Sequence, residues 1–224
     1  MRPSNPHFRP EPGFGLLYIF GAGGFGREVA WLVEQCWGEA LEKVFLVDRD
    51  EFLGPPIGGV PVRRLADVQP QRDARYIVAV GEPAHRRRAV ALCEAAGLSR
   101  ATLVHPRAEM SRQVVIGGGS IVCAGVIATV DIEMGEHVHV NLDCTIGHDV
   151  RIGDFSTLSP GVHVSGRVHI GPDVFVGTGV NIINGSSGKP LVIGAGAVVA
   201  AGACVTREVE PGAMVAGVPA VRKR

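Results

Sequence analysis

Charge of one sign is what this chain lacks first. Lys and Arg together number 22, and so do Asp and Glu, so no net field marks it for nucleic acid or an anionic membrane. Aromatics are scarce, at 5% of 224 residues, which leaves the core to Val, Ile, Leu and Ala. The five cysteines, at 36, 93, 123, 144 and 204, are odd in number and contain no CxxC. That pattern speaks against a disulfide framework or a zinc knot and favours reduced thiols. No secretory leader or apolar run of membrane-spanning length is read. The expected location is therefore cytoplasmic, with neither nucleic acid nor a membrane as partner.

Glycine, at 31 residues, is abundant, and much of it marks a repeat. Every sixth residue from Val104 through Met110, Ile116, Val122 and Ala128 to Ile182 is apolar, fourteen positions in register. An ordinary domain has about 45–50% apolar residues, so chance does not explain the run. Four places after most of these stands a second small or apolar residue, such as Ser120, Val126, Ile132, Cys144 or Ser156. A period of six fits neither helix nor amphipathic strand; it is the period of a parallel β-helix, with one short strand and one corner per hexad. Three hexads make a coil, giving between five and six coils, and residues eighteen apart should stack at the ~4.8 Å spacing of neighbouring strands. The register slips once, because Ile182 to Ile193 spans eleven residues. The extra five fall within Asn184-Gly-Ser-Ser-Gly-Lys-Pro190, a composition suited to a corner loop. Ile193, Val199 and Val205 restore the pattern, and Pro211 is expected to leave the coil.

Ahead of the repeat the pattern differs. Residues 1–13 read as a mobile leader. Leu16–Phe20, Lys43–Asp48 and Arg75–Val80 read as strands, with helices over Arg27–Cys36 and Pro83–Ala96. Gly54 to Gly59 and Pro61 read as loop, and Arg86, Arg87 and Arg88 as the exposed side of the second helix. The expected organisation is a small Rossmann-like parallel α/β domain at 14–100, a β-helix at 101–210 and a tail at 211–224.

Two stretches could carry chemistry. Gly21-x-Gly23-x-x-Gly26 follows a strand, opens a helix and is followed by Asp48 at the end of the next strand. This is the setting in which helix amides receive a phosphate, although the domain is too short for a complete dinucleotide fold. A nucleotide or nucleotide sugar, a nicotinamide cofactor and a simple tight turn all remain open on these residues. The second stretch is Gly147-His148-Asp149. Phasing puts His148 at a corner, with Val130 stacked on one side and Gly166 on the other, which leaves room for a ligand beside the ring. Asp149 raises the imidazole's basicity if the two side chains meet, which neighbours on a strand do not normally do. A solvated surface histidine is the alternative. His163 and His169, one hexad apart and read as exposed, are too few for a catalytic zinc, which needs three clustered ligands, so no metal is expected.

Taken together, Ile19-Phe-Gly-Ala-Gly-Gly-Phe-Gly-Arg-Glu-Val29, Val78-Ala-Val-Gly81 with Arg86-Arg87, Gly147-His-Asp149, Ile152-Gly-Asp-Phe155, Ser159-Pro-Gly161 and Ala216-Gly-Val-Pro-Ala220 resemble the sialic acid O-acetyltransferase and bacterial nucleotide-amino-sugar N-acetyltransferase family, over nearly the whole chain. The resemblance implies a left-handed β-helix, an exception to the usual right-handed crossover, assembled as a homotrimer that uses acetyl-CoA. It implies N-acetylation of a nucleotide-linked amino-deoxy sugar in bacterial surface-glycan biosynthesis. O-acetylation of a sialic acid or related sugar, and a non-catalytic scaffold, are the alternatives. By resemblance His148 is the general base, Asp149 its supporting acid and Asn141 a pocket residue. Gly23, Gly24, Phe25, Asp48 and Gly81 would hold the nucleotide end of the substrate, and Gly166, Thr178 and Ala201 would contact the coenzyme between subunits. Thr157 departs from the pattern, since several relatives carry a second histidine there.

Overall fold

The computed structural model describes His7 and residues 12–223; the leader expected over 1–13 falls almost wholly outside the described residues. The chain divides into two compact units between Leu103 and Val104. In the first, strands β1 (Leu16–Phe20), β2 (Glu42–Val47), β3 (Val62–Arg64) and β4 (Ala74–Val78) form one parallel sheet in the order β3-β2-β1-β4. β1 lies in the middle, and Leu17, Tyr18, Ile19 and Phe20 are all buried, as a strand covered on both faces requires. β3 is a finding that the sequence reading, which ended at a loop, did not include. Its three residues lie on the sheet edge and none is fully buried, so they carry no apolar signal.

Helix α1 (Gly24–Trp37) follows β1, and helix α2 (Pro83–Ala95) follows β4. α1 starts three residues earlier than expected, because Gly24 and Gly26 are helical. A Cβ on Gly26 would overlap the carbonyl oxygen of Gly21, whose own φ is +108°. Glycine is thus required there to bring helix and strand together. The Glu82 carboxylate caps α2, accepting from the amides of Ala84 (3.2 Å) and His85 (2.7 Å), with Pro83 in the first turn where its missing N–H costs nothing.

The second unit is a three-faced stack of short parallel strands, consistent with the left-handed β-helix. The first face holds Leu103–Val104, Ile121–Val122, His139–Val140, Thr157–Leu158, Phe175–Val176 and Val198–Val199. The second holds Glu109–Met110, Ile127–Ala128, Thr145–Ile146, His163–Val164, Asn181–Ile182 and Cys204–Val205, and the third Val114–Ile116, Ile132–Met134, Arg151–Ile152, Val168–Ile170 and Leu191–Ile193. Each residue pairs with the one eighteen later, as in His139↔Thr157 and Thr145↔His163. Across the insertion the offset becomes twenty-three, as in Val168↔Leu191 and Asn181↔Cys204, so the added five residues leave the ladders intact.

Inside runs one apolar column from Val104 to Ala220. The two inward serines fit it because their hydroxyls are bonded. Ser156 Oγ donates to Gly171 O (2.7 Å) and accepts from Val174 N (3.1 Å), and Ser120 does the same with Gly135 O and Val138 N. The corners follow a rule of their own. From Gly119 to Gly179 every sixth residue has φ between 53° and 77°, whether glycine or, as at Asp131, His137, Asp143, Asp149, Phe155, Arg167 and Asp173, not. The coil also runs further than the expected exit at Pro211. Met214–Ala216 adds a parallel strand to the first face, sixteen residues after Val198 in a shortened final turn, and Val221–Arg222 returns antiparallel to it.

Candidate active site

In the first unit a cavity of about 740 Å³ opens at the C-terminal ends of β1 and β2 and the start of α1. Gly23, Gly24, Phe25 and Asp48 line it. Gly23 precedes α1 with no side-chain cap, and a Cβ on Gly23 or Gly24 would meet nothing within 4 Å. The turn therefore presents backbone at the end of a helix where partial positive charge gathers, suited to a phosphate. Gly81 is not among the lining residues; its carbonyl accepts from Arg86 Nη1 at 3.1 Å.

Helix α2 contributes a wall that the sequence reading missed. His85, Arg88, Ala89 and Leu92 line the cavity, and their i, i+3, i+4, i+7 spacing is the signal that could have found them. Arg88 reaches Asp48 at 3.7 Å. Arg86 corrects the expectation of three exposed arginines. It is fully buried, and its Nη1 also donates to Val80 O at 2.9 Å. Beside the cavity, the Arg49 guanidinium lies 4.3 Å over the ring of Phe52, which lines it.

The second site lies at the corner between the second and third faces of the β-helix. His148 follows the strand Thr145–Ile146, and Asp149 takes the left-handed corner position with φ 57°. That turn swings two adjacent side chains to the same side, and His148 Nδ1 lies 2.7 Å from Asp149 Oδ2. The corner does what a straight strand would not. Main-chain bonds fix the stack, from Asp149 N to Val130 O (3.3 Å) and from Arg167 N to His148 O (2.8 Å). Hydrogen bonding to His148, helped by the charges of His148 and Arg167, holds the Asp149 carboxyl below the usual carboxylate range despite some opposing desolvation. An ionised Asp149 accepts a hydrogen bond from Nδ1–H, and Nε2 is the ring nitrogen left for another partner. A Cβ on Gly166 would stand 2.5 Å from that Nε2. Nε2 thus faces Gly166, a residue with no side chain.

Residues 16–92 match the family described as the PglD N-terminal domain. A GDP-perosamine N-acetyltransferase of Escherichia coli O157:H7 is 32% identical over 185 residues, 81% of this chain and 84% of that protein. Among solved structures, WeeI from Acinetobacter baumannii AYE is 33% identical with a TM-score of 0.88, covering 92% of this chain and 99% of its own. The acetyltransferase domain of PglB from Neisseria gonorrhoeae FA1090, in complex with acetyl coenzyme A, is 33% identical with a TM-score of 0.82 over 94% of this chain and 100% of its own. The chain belongs to the PglD-like nucleotide-amino-sugar N-acetyltransferase family.

In this acetyltransferase chain the remaining expected residues lie on a different edge. Asn141, Thr178 and Ala201 all follow first-face strands, at the corner between the first and second faces. Asn141 is largely buried and its Nδ2 donates to Leu158 O at 3.0 Å. Gly202 N donates to Thr178 O at 2.8 Å, which stacks Ala201 over Thr178. One chain therefore brings together His148, Asp149 and Gly166, and on another edge stacks Thr178 with Ala201, with Asn141 two coils earlier along that edge. Thr157 is buried on the first face. Among the described residues no group of three His, Cys, Asp or Glu side chains could hold a metal ion, and no helix is long and apolar enough to cross a membrane.

Proposed function

We propose that the chain transfers the acetyl group of acetyl-CoA to the amino group of a nucleotide-linked amino-deoxy sugar. The observation that carries the reading is the imidazole of His148, tied at Nδ1 to Asp149 and facing Gly166 through Nε2. The neutral amine attacks the thioester carbonyl, and His148 Nε2 takes the proton that the new N–C bond releases. The C–S bond then breaks, and the coenzyme leaves as the thiol after receiving that proton. Asp149 stabilises the imidazolium between the two transfers. General-base assistance of this kind is worth about 10²–10⁴ in rate. Membership of the family and an E. coli relative named GDP-perosamine N-acetyltransferase support an N-acetyl product, and a gonococcal relative in complex with acetyl coenzyme A supports the donor.

The cavity at Gly23, Gly24, Phe25 and Asp48 takes the nucleotide. Its volume falls within the roughly 300–1,000 Å³ of small-molecule sites, and the bare turn at the head of α1 suits a diphosphate. The coenzyme lies along the β-helix against Gly166, Thr178 and Ala201. Those residues sit on two different edges of one prism, so a groove lined by all three needs an edge from each of two copies. A groove shared by two copies supports a ring-shaped oligomer, which we take to be the homotrimer that the family resemblance implies. The reaction uses no metal and belongs in the cytoplasm, where acetyl-CoA and nucleotide sugars are made.

The test is an acceptor screen with acetyl-CoA and detection of the released thiol, over GDP-, UDP- and dTDP-linked amino sugars and over free and CMP-linked sialic acid. Turnover of at least one nucleotide amino sugar, with N-acetylated product by mass spectrometry, is expected. Turnover of sialic acids alone would overturn the reading.

A further inference from the structure

We infer that Arg167 is a positioning residue that sets the base strength of His148 by acting through Asp149. The inference rests on the proposed role of His148 and deepens it. Arg167 is one coil beyond Asp149 in the same corner ladder, and both adopt the left-handed conformation at φ 57°. A long side chain at such a corner is unusual, since glycine and Asp or Asn tolerate the conformation best. Its placement directs Nε to 3.7 Å from Asp149 Oδ2, the oxygen that already holds His148 Nδ1. One carboxylate oxygen is thus shared between the ring and a guanidinium.

The insertion at 184–190 holds this arrangement in place. It leaves from the same corner, immediately beyond Gly166–Arg167. Gly185 N donates to Gly166 O, and Leu191 N to Arg167 O, each at 3.0 Å. A Cβ on Gly185, the second residue of the insertion, would overlap the Arg167 carbonyl oxygen, so this position requires glycine. With its N–H on His148 O and its carbonyl on Leu191 N, the Arg167 backbone is pinned from both sides. The side chain alone is free to choose its partner.

The consequence is electrostatic. The hydrogen bond from His148 is the main support of the Asp149 carboxylate and the guanidinium adds to it, while drawing part of the carboxylate's negative potential away from the imidazole. Charged groups in the neighbouring rungs have partners of their own: Asp131, one coil before Asp149, accepts from Gln113 Nε2 at 3.3 Å, Glu133 pairs with Arg151 at 3.6 Å, and Lys189 of the insertion pairs with Glu208 at 3.6 Å. His169 lies in register with Arg151 on the third face.

The experiment measures kcat against pH, at saturating acetyl-CoA and acceptor, for the wild type, Arg167→Gln, Arg167→Lys, Asp149→Asn and the Asp149→Asn/Arg167→Gln double variant. Arg167→Gln should move the acidic limb up by roughly 0.2–0.7 of a pH unit, the size that an exposed ion pair carries. Arg167→Lys, which keeps the charge, should return it toward the wild type. In the Asp149→Asn background, Arg167→Gln should change neither limb nor plateau by more than about twofold, the size of a small residual coupling. An unmoved limb in Arg167→Gln, a rise only in the KM for acetyl-CoA, or an equal effect in both backgrounds would overturn the inference. His148→Ala run alongside separates the two levels: near-normal kcat there rejects the base assignment itself, whatever Arg167 does.

Discussion

Replacing Gly166 by alanine adds one methyl group opposite the nitrogen that is to accept the proton. Its Cβ would stand 2.5 Å from His148 Nε2, 2.7 Å from Cε1 and 2.9 Å from Cδ2, whereas ordinary contact begins at 3.4 Å. The ring must therefore retreat by about 0.9 Å at its nearest atom. Gly166 does not occupy the left-handed region, so the alanine backbone itself is unstrained. The obstacle is the far end of a half-exposed side chain, which can turn about χ1 at small cost to the fold. Turning, however, lengthens the 2.7 Å bond to Asp149 and puts a methyl where the amine must approach. A misplacement of about 1 Å costs on the order of 10² in rate, so kcat should fall about a hundredfold. Initial rates of thiol release measure the effect, and thermal melting serves as control. A Gly166→Ala variant within about threefold of wild-type kcat, against a hundredfold expectation, would refute the placement of the reaction at this corner. A large loss of melting temperature would refute the claim that the contact is functional rather than structural.

Three further expectations follow from other contacts. Asp149→Asn removes the charge that stabilises the imidazolium, so the acidic limb of kcat should move to lower pH while the plateau falls by less than in His148→Ala; an unchanged profile excludes Asp149 from proton transfer. Because the Asp149 pKa is held below its ordinary value, whatever stability the pair contributes is fully present above the unfolded carboxylate range and is lost only as pH falls through the folded value. Gly26→Ala forces a methyl onto the Gly21 carbonyl and should destabilise the first unit by about 1–3 kcal/mol, with weaker nucleotide binding by calorimetry. Ser156→Ala leaves the Gly171 carbonyl and the Val174 amide without their shared hydroxyl and should cost about 1–3 kcal/mol in denaturant melts, without altering KM for either substrate.

The β-helix was legible because each hexad repeats the same burial. A six-residue period, an inward residue at Val140, Ile146 or Ile152, and one slip of five at 184–190 together prescribe the offsets of eighteen and twenty-three that the ladders show. The exit was misjudged because the final turn has sixteen residues, and Val209 and Val215 fall out of hexad phase. The proximity of His148 to Gly166 followed from stacking alone. The bond between His148 and Asp149 did not, since it depends on a left-handed corner. Gly119, Gly125, Asp131, Asp143 and Asp149, five members of a six-residue series broken only by His137, carry that signal in their preference for positive φ. Arg167 was hidden by the same rule, being an improbable residue at such a corner. In the first unit the glycine turn and Asp48 were readable from the strand–turn–helix context. The α2 wall of His85 and Arg88 was obscured by the run Arg86-Arg87-Arg88, which looks solvated until helical spacing separates Arg88 at the cavity from Arg86 in the core.

The most direct test of the central claim is His148→Ala, assayed for kcat on the acceptor that the screen identifies, with acetyl-CoA affinity measured by calorimetry on the same preparation. The account predicts a fall in kcat of about 10²–10⁴ with coenzyme affinity and melting temperature essentially retained. A variant that binds acetyl-CoA normally and turns over at close to the wild-type rate would contradict it.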